Sequence, residues 1–360
     1  MGRPVSRPLT LQPGARVCIV LLTAVGDAVH ALPVLNALKR HVPGIHLTWV
    51  IQPGPAGLVR GHPAVDELIT FERKRGLRGF LDVRRELAGR RFDLVILLQP
   101  YLKAAVITGF ARAPLKLGYD RARARDLSWV PLNRHVPPHP PQHIQDQYLE
   151  FLAVLGIPSE PLVWDLGPTV DEEARYANLL PPHAGPTLAF VVGTSKPEKE
   201  WPPDRYAAVT DALAASHGAR SILVGGLSPR ENAAAGAIRA AAAHPPLDLR
   251  AWDLRRVVYL LSRADVLVSP DTGPLHAAVA LGTPTVSLMG YTNPRRYGPY
   301  RRFHDLLLDA FGDPGEDYPI DAKHRPGRME RITADQVIEK VRLALERYPR
   351  APSNERPPIR

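Results

Sequence analysis

Carboxylates, hydroxyls, lysines and a histidine stand in loops that directly follow apolar runs, and their spacing limits the chemistry open to this chain. Asp27 follows Gly26 at the tip of the first apolar run. There it suits a general base acting on a hydroxyl, or the N-cap of the next helix. Asp271, Thr272, Gly273 and His276 follow another apolar run and open a helix, with Pro274 suited to its first turn. Such a junction offers backbone N–H groups and the positive end of a helix dipole to a phosphate. An ordinary loop with Asp271 or Thr272 as N-cap fits the same letters. Thr194, Ser195, Lys196 and Lys199 place two hydroxyls and two cations in one loop. That set suits a diphosphate, or a polar loop whose Trp201 and Pro202 staple the following helix. Glu231 comes after Gly225 and Gly226 in a third loop of this kind and is offered to a ribose or base. Gln99 and Lys103 end one strand and begin a helix, reaching a ligand or forming a polar strand end.

These loops need a scaffold, and the apolar pattern supplies one. Runs at 17–22, 45–51, 68–71 and 93–99 predict buried strands separated by helical stretches. A second series runs through 188–192, 221–224, 266–269 and 285–289, with helices near 205–217, 231–243 and 274–281. Two βαβ series predict two Rossmann-like α/β domains, residues 1–165 and 184–333, joined through a Pro-rich junction. A helix over 334–348 is read as able to pack back onto the first domain, with 349–360 as a tail. Pro33 is expected to kink its helix or start the regular part, and 134–142 to form a mobile Pro-rich loop. Ligands of open α/β sheets bind at the carboxyl ends of strands, where all of these loops fall.

Composition removes several classes. The 360 residues are 45% hydrophobic and 23% charged, too apolar for a disordered chain. One cysteine excludes a disulfide scaffold and a Cys-rich zinc module. The net charge of +10 invites an anionic partner, but only 8 of the 46 basic residues are lysine, so part of the excess is arginine-rich composition. A non-catalytic nucleotide- or RNA-binding protein is the alternative that this charge suggests, although no RNA-binding motif or aromatic stripe accompanies it. No GxxxxGK[ST] or GxSxG motif occurs, and no Asp-x-Asp. A diphosphate would therefore be met by Lys, His and helix dipoles, and no metal or cofactor is expected. The first residues lack a signal-peptide core, and no apolar stretch reaches membrane-spanning length. The expected location is the cytoplasm, with a peripheral place on the inner face of its membrane left open.

Taken in order, these motifs resemble glycosyltransferase family 9, the heptosyltransferase group, over roughly residues 17–347. Gly26-Asp27 with Leu32-Pro33 resembles the family's strand-end motif, whose Asp is the proposed base. Gln99 and Lys103 resemble its Gln…Lys helix start. Thr194, Ser195, Lys199, Trp201 and Pro202 resemble its phosphate- and sugar-binding segment, and Glu231 its nucleoside-contacting Glu. Asp271, Thr272, Gly273 and His276 resemble its hallmark nucleotide site, with 290–294 as the following loop. Leu21, Pro100 and Tyr291 depart from common family residues, and none is a proposed catalytic group. The resemblance implies a GT-B fold, two Rossmann-like domains facing across a cleft, and inverting, metal-independent transfer. It also implies ADP-heptose as donor and an anionic glycolipid, the phosphorylated lipopolysaccharide core, as acceptor. Arg73, Lys74, Arg75 and Arg78 would then contact that acceptor, although a solvated basic face accounts for them equally. Another nucleotide-sugar with a protein or glycan acceptor is the alternative within the same fold.

Overall fold

The computed structural model describes residues 9–351; residues 1–8, and 352–360 of the expected tail, lie outside the described residues. The chain divides between Asp165 and Leu166 into two units. In the first, β1 (Arg16–Val20), β2 (His46–Ile51), β3 (Glu67–Thr70), β4 (Leu94–Leu97), β5 (Leu115–Gly118) and β6 (Arg134–His135) form one sheet in the order 3-2-1-4-5-6. Every pairing is parallel. Helices α1 (Val25–His41), α2 (Pro53–Val59), α3 (Leu77–Leu87), α4 (Leu102–Phe110) and α5 (Ile144–Val154) accompany the strands. Central strands of a parallel sheet are covered on both faces, which is why β1 reads as an uninterrupted Val-Cys-Ile-Val run and is buried after Arg16. Burial there pushes the Cys18 thiol up to about 12, so it packs as a small apolar side chain.

Pro33 lies buried inside α1, and the helix starts at Val25, well before it. Asp27 therefore stands in the first turn. The Pro-rich stretch from 134 also differs from expectation at its start. Arg134 and His135 pair with β5 as an edge strand, and His135 Nδ1 lies 3.0 Å from the Tyr119 carbonyl.

The second unit repeats the winding. Helix α6 (Val170–Tyr176) precedes β7 (Thr187–Val191), α7 (Pro203–His217), β8 (Arg220–Val224), α8 (Pro229–Ala241), β9 (Leu247–Asp248) and α9 (Leu254–Arg263). Then come β10 (Val266–Pro270), α10 (Gly273–Ala280), β11 (Thr285–Met289), α11 (Pro294–Tyr297), β12 (Leu307–Asp309) and α12 (Ala334–Arg347). Its parallel sheet is ordered 12-11-10-7-8-9, so both sheets reverse direction beside their first strand. The reversals fall between β1 and β4, and between β7 and β10. Among the described residues no helix is long and apolar enough to cross a membrane.

The last helix, α12, packs on the second unit against α7, β10 and β11. Its stripe of Val337, Val341 and Ala344 is fully buried with Val209, Leu213 and Val266, and Trp201 Nε1 donates to the Ile332 carbonyl just before it at 2.9 Å. Within the Pro-rich junction, α6 docks on α9 through Arg255 to Glu172 at 2.6 Å and Arg263 to Glu173.

Candidate functional site

In the first unit, the β1–α1 junction carries Asp27. The N-cap is Ala24, with no side-chain cap bond, and Asp27 is the third helical residue. Its carboxylate is thus not the cap, and it stands near the positive end of the helix dipole. Tyr148, buried on α5, donates its hydroxyl to Asp27 Oδ1 at 3.1 Å. That reach is fixed by a reciprocal pair between the two helices. His30 Nδ1 lies 2.9 Å from Gln145 Oε1, and Gln145 Nε2 donates to the His30 carbonyl at 2.8 Å.

Both sides of the Leu22 peptide are also clamped. Its N–H donates to Gln99 Oε1, and its carbonyl accepts from Gln52 Nε2 at 2.5 Å. Gln99 is buried, so its geometry gives it a positioning role at the end of β1. Lys103 is exposed on the first turn of α4, and Arg73, Lys74, Arg75 and Arg78 are exposed beside the start of α3. Arg75 is drawn to Asp82 at 2.6 Å.

In the second unit, the loops after β7 and β10 meet at the reversal point. Lys199 Nζ donates to Asp271 Oδ2 at 2.6 Å, and His276 Nε2 lies 3.3 Å from Asp271 Oδ1. All three side chains are at least five-sixths buried. Burial by itself would raise the Asp271 carboxyl, but His276 and Lys199 outweigh it and hold that group well below the usual carboxylate range. Thr272 is the N-cap of α10, its hydroxyl accepting from Leu275 N–H at 3.4 Å and lying 2.9 Å from Ser269 Oγ. The chain bends at Asp271 and Thr272, and Gly273 is the first helical residue, so no side chain at that position screens the helix start.

Thr194 donates to the Lys196 carbonyl at 2.5 Å, and Ser195 is exposed beside it. Lys196 donates to the Tyr291 hydroxyl at 3.2 Å, and the His324 ring stacks on Tyr291 at 4.8 Å. Burial and the charges of Lys196 and Lys199 lower the His324 pKa. This corner therefore gathers cations around one carboxylate, a field suited to a polyanion.

Glu231 completes the second half of this surface. Its two oxygens accept from Gly226 N–H at 2.8 Å and Ser228 N–H at 2.9 Å, while Ser228 caps α8 in return. Each oxygen keeps further lone pairs for a ligand hydroxyl. The carboxylate lies against Gly193, where an added Cβ would come within 2.3 Å of Glu231 Oε1. Gly193→Ala should displace Glu231 and cost about 1–3 kcal/mol from its broken hydrogen bonds, which thermal unfolding of the variant checks.

Several contributors carry no local signal in the sequence. Arg230 donates to the Thr194 carbonyl at 3.2 Å and pairs with Glu200 at 2.9 Å, tying two loops together. Trp252 is 74% exposed, yet its ring lies close enough to Gly226 that a Cβ there would come within 2.8 Å. A large exposed aromatic beside the Glu231 carboxylate is a ready platform for a planar base.

Comparison with known proteins extends this picture. The model of "Glycosyltransferase family 9 (heptosyltransferase)" matches residues 80–310. The lipopolysaccharide core heptosyltransferase OpsX of Haemophilus influenzae is 27% identical over 93% of this chain and 98% of its own. Lipopolysaccharide heptosyltransferase 1 of Pseudomonas aeruginosa is 32% identical, with 84% of each chain covered. Structures of the Escherichia coli heptosyltransferase WaaC with ADP and with ADP-2-deoxy-2-fluoro heptose superpose with TM-scores of 0.73 and 0.72. Each is 26% identical and covers 91% of this chain and 99% of theirs. The two Rossmann-like units are thus those of a GT-B enzyme, and the non-catalytic nucleic-acid alternative is set aside. With nearly two-thirds of its length matched by the family model, the chain belongs to glycosyltransferase family 9, the heptosyltransferase family.

Proposed function

We propose that this glycosyltransferase moves heptose from ADP-heptose to a lipopolysaccharide core acceptor with inversion at the anomeric carbon. The observation that carries the donor half is the buried Lys199–Asp271–His276 cluster at the reversal point of the second sheet. Asp271 holds the two cationic or proton-donating side chains in place before any ligand arrives. Lys199 and His276, with the Thr194–Ser195 loop and the α10 start at Thr272 and Gly273, then face the leaving diphosphate. Glu231 takes a ribose hydroxyl, and Trp252 stacks on the adenine. The relatives named for lipopolysaccharide heptose transfer and the WaaC complex with an ADP-heptose analogue support this choice of substrates.

Asp27 is the base on the acceptor side. It takes the proton of an acceptor hydroxyl as that oxygen's lone pair bonds to the anomeric carbon. The bond from that carbon to the diphosphate oxygen breaks, and its electron pair leaves with ADP. Tyr148 and Gln99 position the base and the strand end, while Lys103 and the cations at 73–78 suit an anionic acceptor. Water must be kept from the donor during the step, since it would compete for the same carbon. The same reading puts the enzyme in the cytoplasm, with a peripheral place on the inner face of its membrane suited to a membrane-borne acceptor.

ADP release measured with ADP-heptose and a heptose-free lipopolysaccharide core tests the reading, and turnover only with a different nucleotide-sugar would overturn it. Trp252→Ala should raise the ADP Kd roughly 5- to 100-fold, the range of one lost stacking contact, with the melting temperature unchanged because the ring is exposed. Isothermal titration would measure it.

A further inference from the structure

The solvent face of α3 is unusual for a helix of this unit. Gly79, Val83 and Leu87 are its buried positions. At about 100° per residue, Arg84, Leu77, Leu81, Arg85 and Arg78 follow one another on the opposite side. Leu77 is 82% exposed and Leu81 47% exposed. Asp82, at the margin of this face, is drawn into pairs with Arg75 and Arg85. Helix α4 packs beside α3 and repeats the pattern. It buries Ala104, Ala105, Ile107 and Thr108 and turns Leu102, Val106 and Lys103 outward.

A third element adds to it. The turn after β5 is tied to the start of α4 by Arg125 N–H donating to the Pro100 carbonyl at 3.0 Å. It projects Leu127, 62% exposed, from a left-handed backbone at φ 60°. A single exposed leucine is ordinary; apolar residues on three adjoining elements, interleaved with arginine and lysine, are not. All three elements begin at the carboxyl edge of the sheet, the edge that also carries Asp27.

We propose that this face of the first unit docks on the surface of an anionic phospholipid bilayer. The leucines would enter the headgroup–acyl boundary while Arg78, Arg84, Arg85 and Lys103 reach lipid phosphates, as interfacial helices do. Charge complementarity selects this occupant. A second copy of the same face would bring like charges together, and a purely apolar partner would leave the arginines without counter-charge. Arg78 and Lys103 are shared with the proposed acceptor side, so the inference rests in part on that reading; Leu77, Leu81 and Arg84 lie outside it, and acceptor-free vesicles separate docking from acceptor binding.

The test is co-sedimentation of the full chain with acceptor-free vesicles of phosphatidylethanolamine and phosphatidylglycerol, and with vesicles of phosphatidylcholine alone. Wild type should bind the anionic vesicles, weaken as salt rises, and bind phosphatidylcholine poorly. Leu77→Ser/Leu81→Ser should lower the partition about tenfold, and Arg84→Glu should lower it by at least the roughly fivefold that one surface cation contributes. Melting temperature and ADP affinity should stay at wild-type values in both, which separates lost docking from lost folding or donor binding. Equal binding by wild type and variants, or no wild-type binding to anionic vesicles, would overturn the proposal. So would a concentration-dependent dimer of the wild type that Leu77→Ser/Leu81→Ser abolishes.

Discussion

Replacing Asp27 with Asn should lower kcat by roughly 10²–10⁴-fold, the usual contribution of a positioned general base, while ADP binds as tightly as before. Asn has nearly the same shape and can still accept from the Tyr148 hydroxyl, which lies 3.1 Å from Asp27 Oδ1. Folding and the start of α1 should therefore persist, because the cap position is Ala24 and not Asp27. What disappears is the ability to take a proton from the attacking hydroxyl. Steady-state kinetics with saturating donor and acceptor, paired with ADP titration, would measure the effect. A variant with near-wild-type kcat would remove Asp27 from the base role.

The second large effect concerns stability. Asp271→Ala should destabilise the second unit by about 3–5 kcal/mol, the cost of leaving buried charge without its partner. Lys199 lies 2.6 Å and His276 3.3 Å from Asp271, so one substitution strips the counter-charge from Lys199 and the side-chain partner from His276. In melting temperature this corresponds to a drop on the order of 10 °C for a domain of this size. Donor binding should weaken too, since neither side chain is then held toward a diphosphate.

The pH dependence has a definite sign. Asp271 titrates lower in the folded chain than its ordinary value of 3.8, so it is deprotonated more easily folded than unfolded. Its stabilising contribution is complete above that ordinary value and fades as pH falls below it toward the folded pKa. The acid limb of a melting-temperature profile should accordingly be shallower in Asp271→Ala than in wild type. A parallel pair of profiles would show that Asp271 carries no such coupling.

The sequence reveals the inner parts of both sheets better than their edges. Strands β1, β4, β7 and β10 are continuous apolar runs because they are covered on both faces. Strands β6 and β9 are two-residue, exposed pairings, Arg134–His135 and Leu247–Asp248, whose strand character comes from a neighbour and not from their own side chains. The stripe on α12 shows that it must pack somewhere, but nothing in Val337, Val341 and Ala344 says on which unit.

The loops of the site are legible for a related reason: polar, glycine-containing turns stand out after apolar strands. Their internal wiring is not legible. Lys199 and Asp271 are 72 residues apart, and Leu22 and Gln99 are separated by 77. Trp252 has no motif around it, and only the fold sets its ring against Gly226. The hydrogen bonds that turn candidate residues into anchors, such as Gly226 and Ser228 on Glu231, likewise appear only once the loops are in place.

The most direct measurement is the anomeric configuration of the product, read by NMR after wild-type transfer from ADP-heptose of defined configuration. In the proposed mechanism a hydroxyl activated by Asp27 attacks opposite the departing ADP in one displacement, so the expected product carries the inverted linkage. A product that retains the donor configuration would contradict single displacement, and with it the roles assigned to Asp27 and to the Lys199–Asp271–His276 cluster.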